Sequence, residues 1–380
     1  MRTPQNTQPK VSKAPSLRFS EFKGEWEECI LGKIVKHISS GKSKTSCGDY
    51  NLYGSTGLIG KTNEAFYEGQ MVLVARVGAN AGKLQIINEK CGITDNALII
   101  TAEKVPAQYI YYYLQHFNLN RLIFGSGQPL ITGGMLKKVV IRLGRDTEQN
   151  KITKLLSLLD ERIATQSRII EDLKKLRGAI IEKLLNGRGP HKIRLGDVGS
   201  FIRGLTYSSN DVVEKEGVLV IRSNNIVNGS SLDYSNDTVQ VNKQISSEQH
   251  LRCGDIVICM ANGSSSLVGK SSYYDGRCLS SITIGAFCGI YRSNEPLVKW
   301  LFQTSTYRRY IWNSLQGGNG AIANLNGEDI LNMSFALPDT ATKKHVIELL
   351  TSIDSMIKND AALYDLYSLQ KQYLLRQMFI

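Results

Sequence analysis

Lys154-Leu155-Leu156-Ser157-Leu158-Leu159-Asp160-Glu161-Arg162-Ile163 returns 194 residues later as Glu348-Leu349-Leu350-Thr351-Ser352-Ile353-Asp354-Ser355-Met356-Ile357. Around the first copy, Ile152, Leu156, Leu159, Ile163, Ile170, Leu173, Ile180 and Leu184 follow alternating steps of four and three, interrupted at Gln166 and Arg177. That spacing is the seam of a coiled coil. The second copy offers Val346, Leu350, Ile353 and Ile357, then a blurrier stretch through Tyr364, Tyr367, Leu374 and Met378. An isolated helix cannot bury a seam. Because only Gly187-Arg188-Gly189-Pro190 leads out of the first helix, the second is expected to run back along it.

Outward from these helices, the whole chain reads as one block said twice, over residues 26–186 and 191–380. Met71-Val72-Leu73-Val74-Ala75 and Ala97-Leu98-Ile99-Ile100 are expected strands, bounded by Gly69-Gln70, Gly78 and Asp95-Asn96. A helix from about Ala107 to Arg121 carries Ile110, Tyr113, Leu114 and Phe117 on one face. The second block repeats the order with Asp255-Ile256-Val257-Ile258-Cys259, a strand from Thr283 to Phe287, and a helix from Pro296 through Leu301, Phe302 and Tyr310. The expected fold is α+β: two pseudo-repeated mixed α/β modules separated by an antiparallel two-helix coiled coil. Residues 1–25 read as a loosely held N-terminal arm.

With 46 Lys+Arg against 34 Asp+Glu, the net charge is +12 and the pI about 9.2. Such a balance points to a polyanion, nucleic acid first and an anionic membrane surface second. Residues 1–20 are polar, with Pro4, Pro9 and Pro15 and no apolar run of a signal sequence. Nothing approaches the ~20 apolar residues of a membrane span. Seven cysteines, with Cys253, Cys259, Cys278 and Cys288 lacking the close pairs of a zinc site, fit a reduced cytoplasm. A helix from Ile152 to Leu184 spans roughly 50 Å, at least the ~34–36 Å between half-sites one DNA turn apart, so the rod can serve as a ruler.

Two glycine-rich turns follow apolar strands: Arg76-Val77-Gly78-Ala79-Asn80-Ala81-Gly82-Lys83, and Met260-Ala261-Asn262-Gly263-Ser264-Ser265-Ser266-Leu267-Val268-Gly269-Lys270-Ser271. A phosphate-binding P-loop needs its two glycines five apart and a helix behind them; here they stand four and six apart. A tight inter-strand turn is the plain reading, and glycine also lets backbone approach a DNA phosphate, with Lys83 and Lys270 supplying charge. Candidate DNA contacts cluster near such turns. In the first module they are Lys42, Ser43, Lys44, Tyr53, Ser55, Lys61, Arg76, Asn80, Asp95, Asn96 and Gln128. In the second they are Arg203, Tyr207, Arg222, Ser223, Asn224, Asn225, Asn262, Ser264, Asn319 and Asn324. Arg and Lys suit guanine O6/N7, and Asn and Gln suit adenine N6/N7. The runs Tyr111-Tyr112-Tyr113 and Tyr273-Tyr274 fit packing better than base stacking.

Catalytic signatures are missing. There is no Asn-Pro-Pro-aromatic sequence for amino methylation, no glycine loop with a downstream acid for a nucleotide cofactor, and the histidines (His37, His116, His191, His250, His345) are scattered. Glu21-Phe22-Lys23 matches the E-x-K of a nuclease site without an acidic strand before it. The chain is expected to bind and not to react. A coiled-coil protein-interaction tether and a nuclease with an unrecognised site are the rivals; metal-dependent nicking by the chain alone would favour the second.

Over nearly its whole length the chain resembles the DNA specificity subunit of type I restriction-modification systems. The carriers are Leu17-Arg18-Phe19-Ser20-Glu21-Phe22 with Trp26 and Leu31-Gly32; Tyr53-Gly54-Ser55-Thr56-Gly57-Leu58-Ile59-Gly60; the stretch 75–82; Thr94-Asp95-Asn96-Ala97; and Glu148-Gln149 with Ile152. In the second half they are Ile221-Arg222-Ser223-Asn224-Asn225-Ile226, Gly254-Asp255-Ile256, Asn262-Gly263-Ser264 and Gly269-Lys270. Two departures stand out: Thr342-Lys343 against Glu148-Gln149, and Pro338 against Gly144. The resemblance implies target-recognition domains at 26–145 and 188–338, spacer helices at 146–187 and 339–380, and a bipartite asymmetric site in double-stranded DNA. It also implies two methyltransferase (modification) subunits docked on the rod and restriction/translocase subunits joining them, with S-adenosylmethionine, ATP and Mg in those partners and no cofactor or metal in this chain. The expected docking residues are Ile152, Leu156, Leu159, Ile163, Leu173, Ile180, Leu350, Ile353 and Ile357.

Overall fold

The computed structural model describes residues 14–123, 129–186, 189–234, 236–278, 280–315 and 323–380; Gly187 and Arg188 of the connection lie outside them. The chain forms two compact units, one of residues 1–168 with 361–380 and one of residues 169–360. Both long helices, Asp146–Leu185 and Thr340–Met378, are divided between them. Among the described residues no helix is long and apolar enough to cross a membrane.

The first unit is built on a four-stranded antiparallel sheet in the order Val35–Ser40, Ala97–Ala102, Gln70–Ala75, Leu84–Asn88. Met71, Val72, Leu73 and Val74 are all buried, as a strand covered on both faces requires. A second sheet holds the hairpin Tyr50–Gly54 and Gly57–Thr62 with Gly92–Ile93 added in parallel. The expected helix from Ala107 stops at Phe117, where Asn118 turns left-handed at φ 57° and accepts the Asn120 amide before a short 3-10 turn.

The second unit repeats this arrangement. Its sheet runs Gly199–Arg203, Cys288–Ser293, Ile256–Cys259, Ser271–Tyr273, again first, fourth, second, third in chain order. A second sheet again carries one parallel strand, Ile282–Ile284 beside Val218–Ile221. The repeat offset is 164 at the short helices Leu31–Ile34 and Leu195–Val198, and 194 by Gly133–Lys137 and Gly327–Leu331, so the second copy's extra residues lie between them. Two sequence expectations are corrected. The strand read over Thr283 to Phe287 is Ile282–Ile284 followed by a turn and then Cys288–Ser293. The single helix from Pro296 to Tyr310 is two, Val298–Leu301 and Ser305–Leu315. Thr304 makes the break: its hydroxyl donates to the Leu301 carbonyl at 2.7 Å and accepts the Tyr307 amide at 3.2 Å, capping a new helix.

The long helices are anchored where they enter each core. Ile152 and Leu156 lie in the first core with Trp26, Tyr109, Met378 and Phe379; Ile181 and Leu185 lie in the second with Val346, Leu350 and Phe302. The reading of a loose arm is corrected for residues 17–22. Arg18 grips the fully buried Glu148 carboxylate at 2.6 and 2.8 Å, Trp26 Nε1 donates to the same group, and the Leu17 amide donates to the Gln377 carbonyl. The E-x-K glutamate, Glu21, pairs with Lys151, which holds its carboxyl below the usual range. In the second unit the charge pattern reverses: Lys343 reaches Glu295 at 2.6 Å, and Asp339 caps the helix through Ala341 and Thr342.

One ion pair occurs once in each unit. In the first, Asp160 accepts from Lys371 at 2.5 Å and from the Tyr112 hydroxyl at 2.8 Å. In the second, Asp354 accepts from Arg177 at 2.9 Å, Lys299 at 3.1 Å and Trp300 Nε1 at 3.2 Å. Asp160 and Asp354 are 194 apart, and so are Arg177 and Lys371. The acid lies on the first helix in one unit and on the second helix in the other.

His116 packs on Phe379 and Tyr113. Burial depresses its pKa, against an opposing hydrogen bond to the Leu375 backbone. The unfolded chain therefore takes up this proton at higher pH than the folded one, so stability of the first unit falls as pH drops below about 6.5, the ordinary histidine value. Thermal unfolding between pH 7.5 and 5 should show that loss, and His116→Gln should reduce it.

Candidate nucleic-acid interface

The two glycine-rich turns are built alike. After the strand Gln70–Ala75, Gly82 at φ +86° donates its amide to the Ala75 carbonyl at 2.9 Å, and the Ala75 amide donates to the Lys83 carbonyl at 2.8 Å. After Ile256–Cys259, Gly269 at φ +79° donates to Cys259 at 2.8 Å, and Cys259 donates back to Lys270 at 2.9 Å. These reciprocal backbone bonds fix each lysine to the end of its central strand. A Cβ on Gly269 would meet Ile311 at 2.7 Å, and one on Gly82 would meet the Asn120 amide oxygen at 3.0 Å. Glycine thus lets each turn press against its neighbouring helical segment. The result is a cleft in each unit, one lined by Lys83 with Gln115, Asn118 and Asn120, the other by Lys270 with Gln303, Arg308 and the exposed Trp312. Lys83 is exposed and Lys270 half-buried.

The other candidates of the first unit divide by what they touch. Lys42 is exposed, its ammonium 4.6 Å over the Phe66 ring, and Lys44 is exposed beside it, while Ser43 is buried and donates to the Glu64 carbonyl. Tyr53 donates to Glu89, which Asn51 also holds; burial first and then that carboxylate push the phenol up to about 12. Lys61 donates to Asn51 Oδ1 at 2.9 Å and the Asp49 carbonyl at 3.1 Å. Tyr53 and Lys61 therefore brace the hairpin, with Lys61 still exposed. Their bonds hold out its tip, where Ser55 is half-buried and Leu58 and Ile59 are exposed. Asn96 is exposed and Asn80 half-buried; Arg76 is half-buried with its Nε enclosed and unbonded among the described residues. Gln128 lies outside the described residues.

In the second unit the fold gathers Tyr207, Arg222, Ser223 and Asn224 around one pocket with Asp237 and the turn 285–288. Arg222 Nη2 donates to Asp237 Oδ1 at 2.8 Å and to its carbonyl at 3.0 Å, and Asn224 Nδ2 donates to Oδ2. Asn225 is 1% exposed: its Oδ1 accepts the Arg222 amide at 2.9 Å and its Nδ2 donates to the Asn236 carbonyl at 2.7 Å. It is a brace between two loops and cannot reach a base, which corrects its reading as a contact. Arg203 is exposed; Asn262 accepts the Ser264 amide and Ser264 bonds Ser266, an internal turn. Asn319 lies outside the described residues.

The expected docking residues divide by burial. Ile152, Leu156, Leu159, Leu350 and Ile353 are buried inside their own units, and Ile163, Leu173, Ile180 and Ile357 are half-buried. The large apolar side chains these helices do expose are Leu158, Ile169 and Leu176 on the first and Leu349, Met356, Leu363, Tyr364, Leu366, Leu369 and Tyr373 on the second. Reading for polar base partners also passed over Leu58, Ile59 and Phe287, 67% exposed, at turn tips. The signal available was an apolar residue beside glycine in a turn, Gly57-Leu58-Ile59-Gly60 and Gly285-Ala286-Phe287.

Comparison with known proteins places this geometry. The family described as "Type I restriction modification DNA specificity domain" matches twice, over residues 23–175 and 190–365. The EcoKI specificity subunit of the type I restriction enzyme of Escherichia coli (strain K12) is 31% identical over 176 residues, 44% of this chain and 37% of that protein. This chain thus spans little more than a third of that relative. The MjaVIII specificity subunit of Methanocaldococcus jannaschii is 24% identical over 90% of both chains. The crystal structure of a type I restriction-modification S subunit from M. genitalium superposes with a TM-score of 0.64 at 16% identity, covering 97% of this chain and 99% of that one, which shows a shared fold.

Asn225→Ala should cost stability, about 1–3 kcal/mol for the loss of its two hydrogen bonds to the backbone of Arg222 and Asn236, and denaturant titration of the full chain checks it. A variant as stable as the parent would contradict the bracing role.

Proposed function

This chain belongs to the type I restriction-modification DNA specificity family, and on that premise we propose that it is a DNA-reading, non-catalytic subunit of such a system. Each module reads one half of a bipartite, asymmetric sequence in double-stranded DNA. The observation that carries this reading is the duplicated turn: the same backbone device presents Lys83 in one unit and Lys270 in the other, each at the mouth of a cleft. Two equivalent basic clefts on a chain of charge +12 suit two stretches of phosphate backbone. A coiled-coil tether that reads no DNA leaves both clefts without a role.

The long helices act here as an antiparallel coiled-coil spacer. What supports this is the matched pair Asp160 with Lys371 and Asp354 with Arg177, which obeys one antiparallel register. Two methyltransferase (modification) subunits dock on the apolar side chains the helices expose, Leu158, Leu366 and Leu369 among them. Restriction/translocase subunits complete the assembly, and S-adenosylmethionine, ATP and Mg belong to those partners. All seven cysteines are free, in keeping with a cytoplasmic setting.

Lys83→Ala and Lys270→Ala should each weaken duplex binding by the full chain about equally on all sequences. Each should also lower the slope of log K against log salt by about 0.9, one phosphate's worth. Affinity independent of salt would contradict phosphate contact.

A further inference from the structure

Within the second module's proposed role as a DNA reader, and resting on that role, we propose that Asp237 is a specificity-determining residue that accepts a hydrogen bond from the exocyclic amine of a base, cytosine N4 or adenine N6. The pocket it lines is open to solvent and holds Tyr207, Arg222 and Asn224, with Phe287 at its rim. Asp237 sits at φ +47°, a backbone conformation that non-glycine residues adopt rarely, with Asp among those that tolerate it. Its place is held from both sides: Asn225 bonds the backbone of Asn236 and of Arg222, while Arg222 and Asn224 bond the two carboxylate oxygens.

That arrangement selects what can enter. Arg222 and Asn224 orient the carboxylate without covering it, since the Asp237 side chain remains 70% exposed. An ionised carboxylate has about four lone-pair sites, and these two donors occupy two. The negative charge repels a phosphate oxygen and offsets the Arg222 charge, so this pocket is unsuited to the DNA backbone. It equally repels the acceptor oxygens of guanine and thymine. The major-groove groups that fit are the amines, N4 of cytosine and N6 of adenine. The exposed Phe287 ring adds an apolar surface of the kind that packs on a base or a thymine methyl. The unit's other cleft, at Lys270, has no acid in its lining and suits phosphate, so the two sites of this unit divide the work.

The test is selection from a randomised duplex library by the full chain assembled with its modification subunits, run on the parent, Asp237→Ala and Asp237→Asn, with thermal unfolding of each. The parent should select a bipartite sequence. Asp237→Ala should select the same sequence except at one base pair of one half, where preference drops roughly 5- to 150-fold; Asp237→Asn, whose amide oxygen still accepts, should keep or shift toward adenine at that base pair and change no other. Duplexes carrying cytosine or adenine at that position then tell the two amines apart. Asp237→Asn, which keeps the size and the capacity to bond Arg222, guards against a folding defect in Asp237→Ala. Selection by Asp237→Ala of an unchanged sequence would overturn the inference, and so would a uniform loss on all sequences. A parent that selects no bipartite sequence would instead sink the underlying reading of the chain as a DNA reader.

Discussion

A carboxylate caught between the two long helices organises each half of this protein. Asp160 meets Lys371 in the first unit and Asp354 meets Arg177 in the second, and the same carboxylates reach the module beside them, Asp160 to Tyr112 and Asp354 to Lys299 and Trp300. In the second unit, where Arg177 and Asp354 are each 11% exposed, removing one member leaves a desolvated charge behind, which costs far more than the pair contributes over an apolar equivalent. Its value lies in geometry. An apolar seam tolerates a slip by one heptad; a charge that must find a single cation and also a module's phenol or indole does not. Helix register and module seating are therefore set at one atom group in each unit.

The two copies solve the remaining problem, how the helix start joins its module, with opposite charges. In the first, Glu148 lies fully buried under Arg18 and Trp26, and Gly144 is required there because a Cβ would press on both the carboxylate and the indole. In the second, Thr342-Lys343 replaces Glu148-Gln149 and the anchor becomes Lys343 on Glu295, with Asp339 as the helix cap. With no acid under an indole to protect, Pro338 can stand where Gly144 stood. The departures from the sequence signature are thus two ways of making one joint.

Which parts of this were legible in the sequence follows from the range of the interactions. The seam, the duplicated block and the glycine turns before Lys83 and Lys270 are local patterns of period and spacing, and the strands Gln70–Ala75 and Ile256–Cys259 showed as unbroken apolar runs. What was hidden depends on distant partners. Arg18 finds Glu148 130 residues away, and Asn225 bonds the Asn236 carbonyl from 11 residues away. Tyr53 and Lys61 looked like free polar groups until Glu89 and Asn51 came beside them. Seam residues such as Leu156 and Leu350 were read as docking sites because a sequence shows that a side chain is apolar and not which surface it meets.

The most direct test of the matched pairing is charge reversal at the first unit's copy. Asp160→Lys and Lys371→Asp each set two like charges face to face, and each should lower the thermal unfolding midpoint of the full chain. Together they restore an attractive pair across the same helices, so the double variant should recover most of that loss, with a coupling of about 0.5–3 kcal/mol. Additive losses, with the double variant less stable than either single one, would contradict the account.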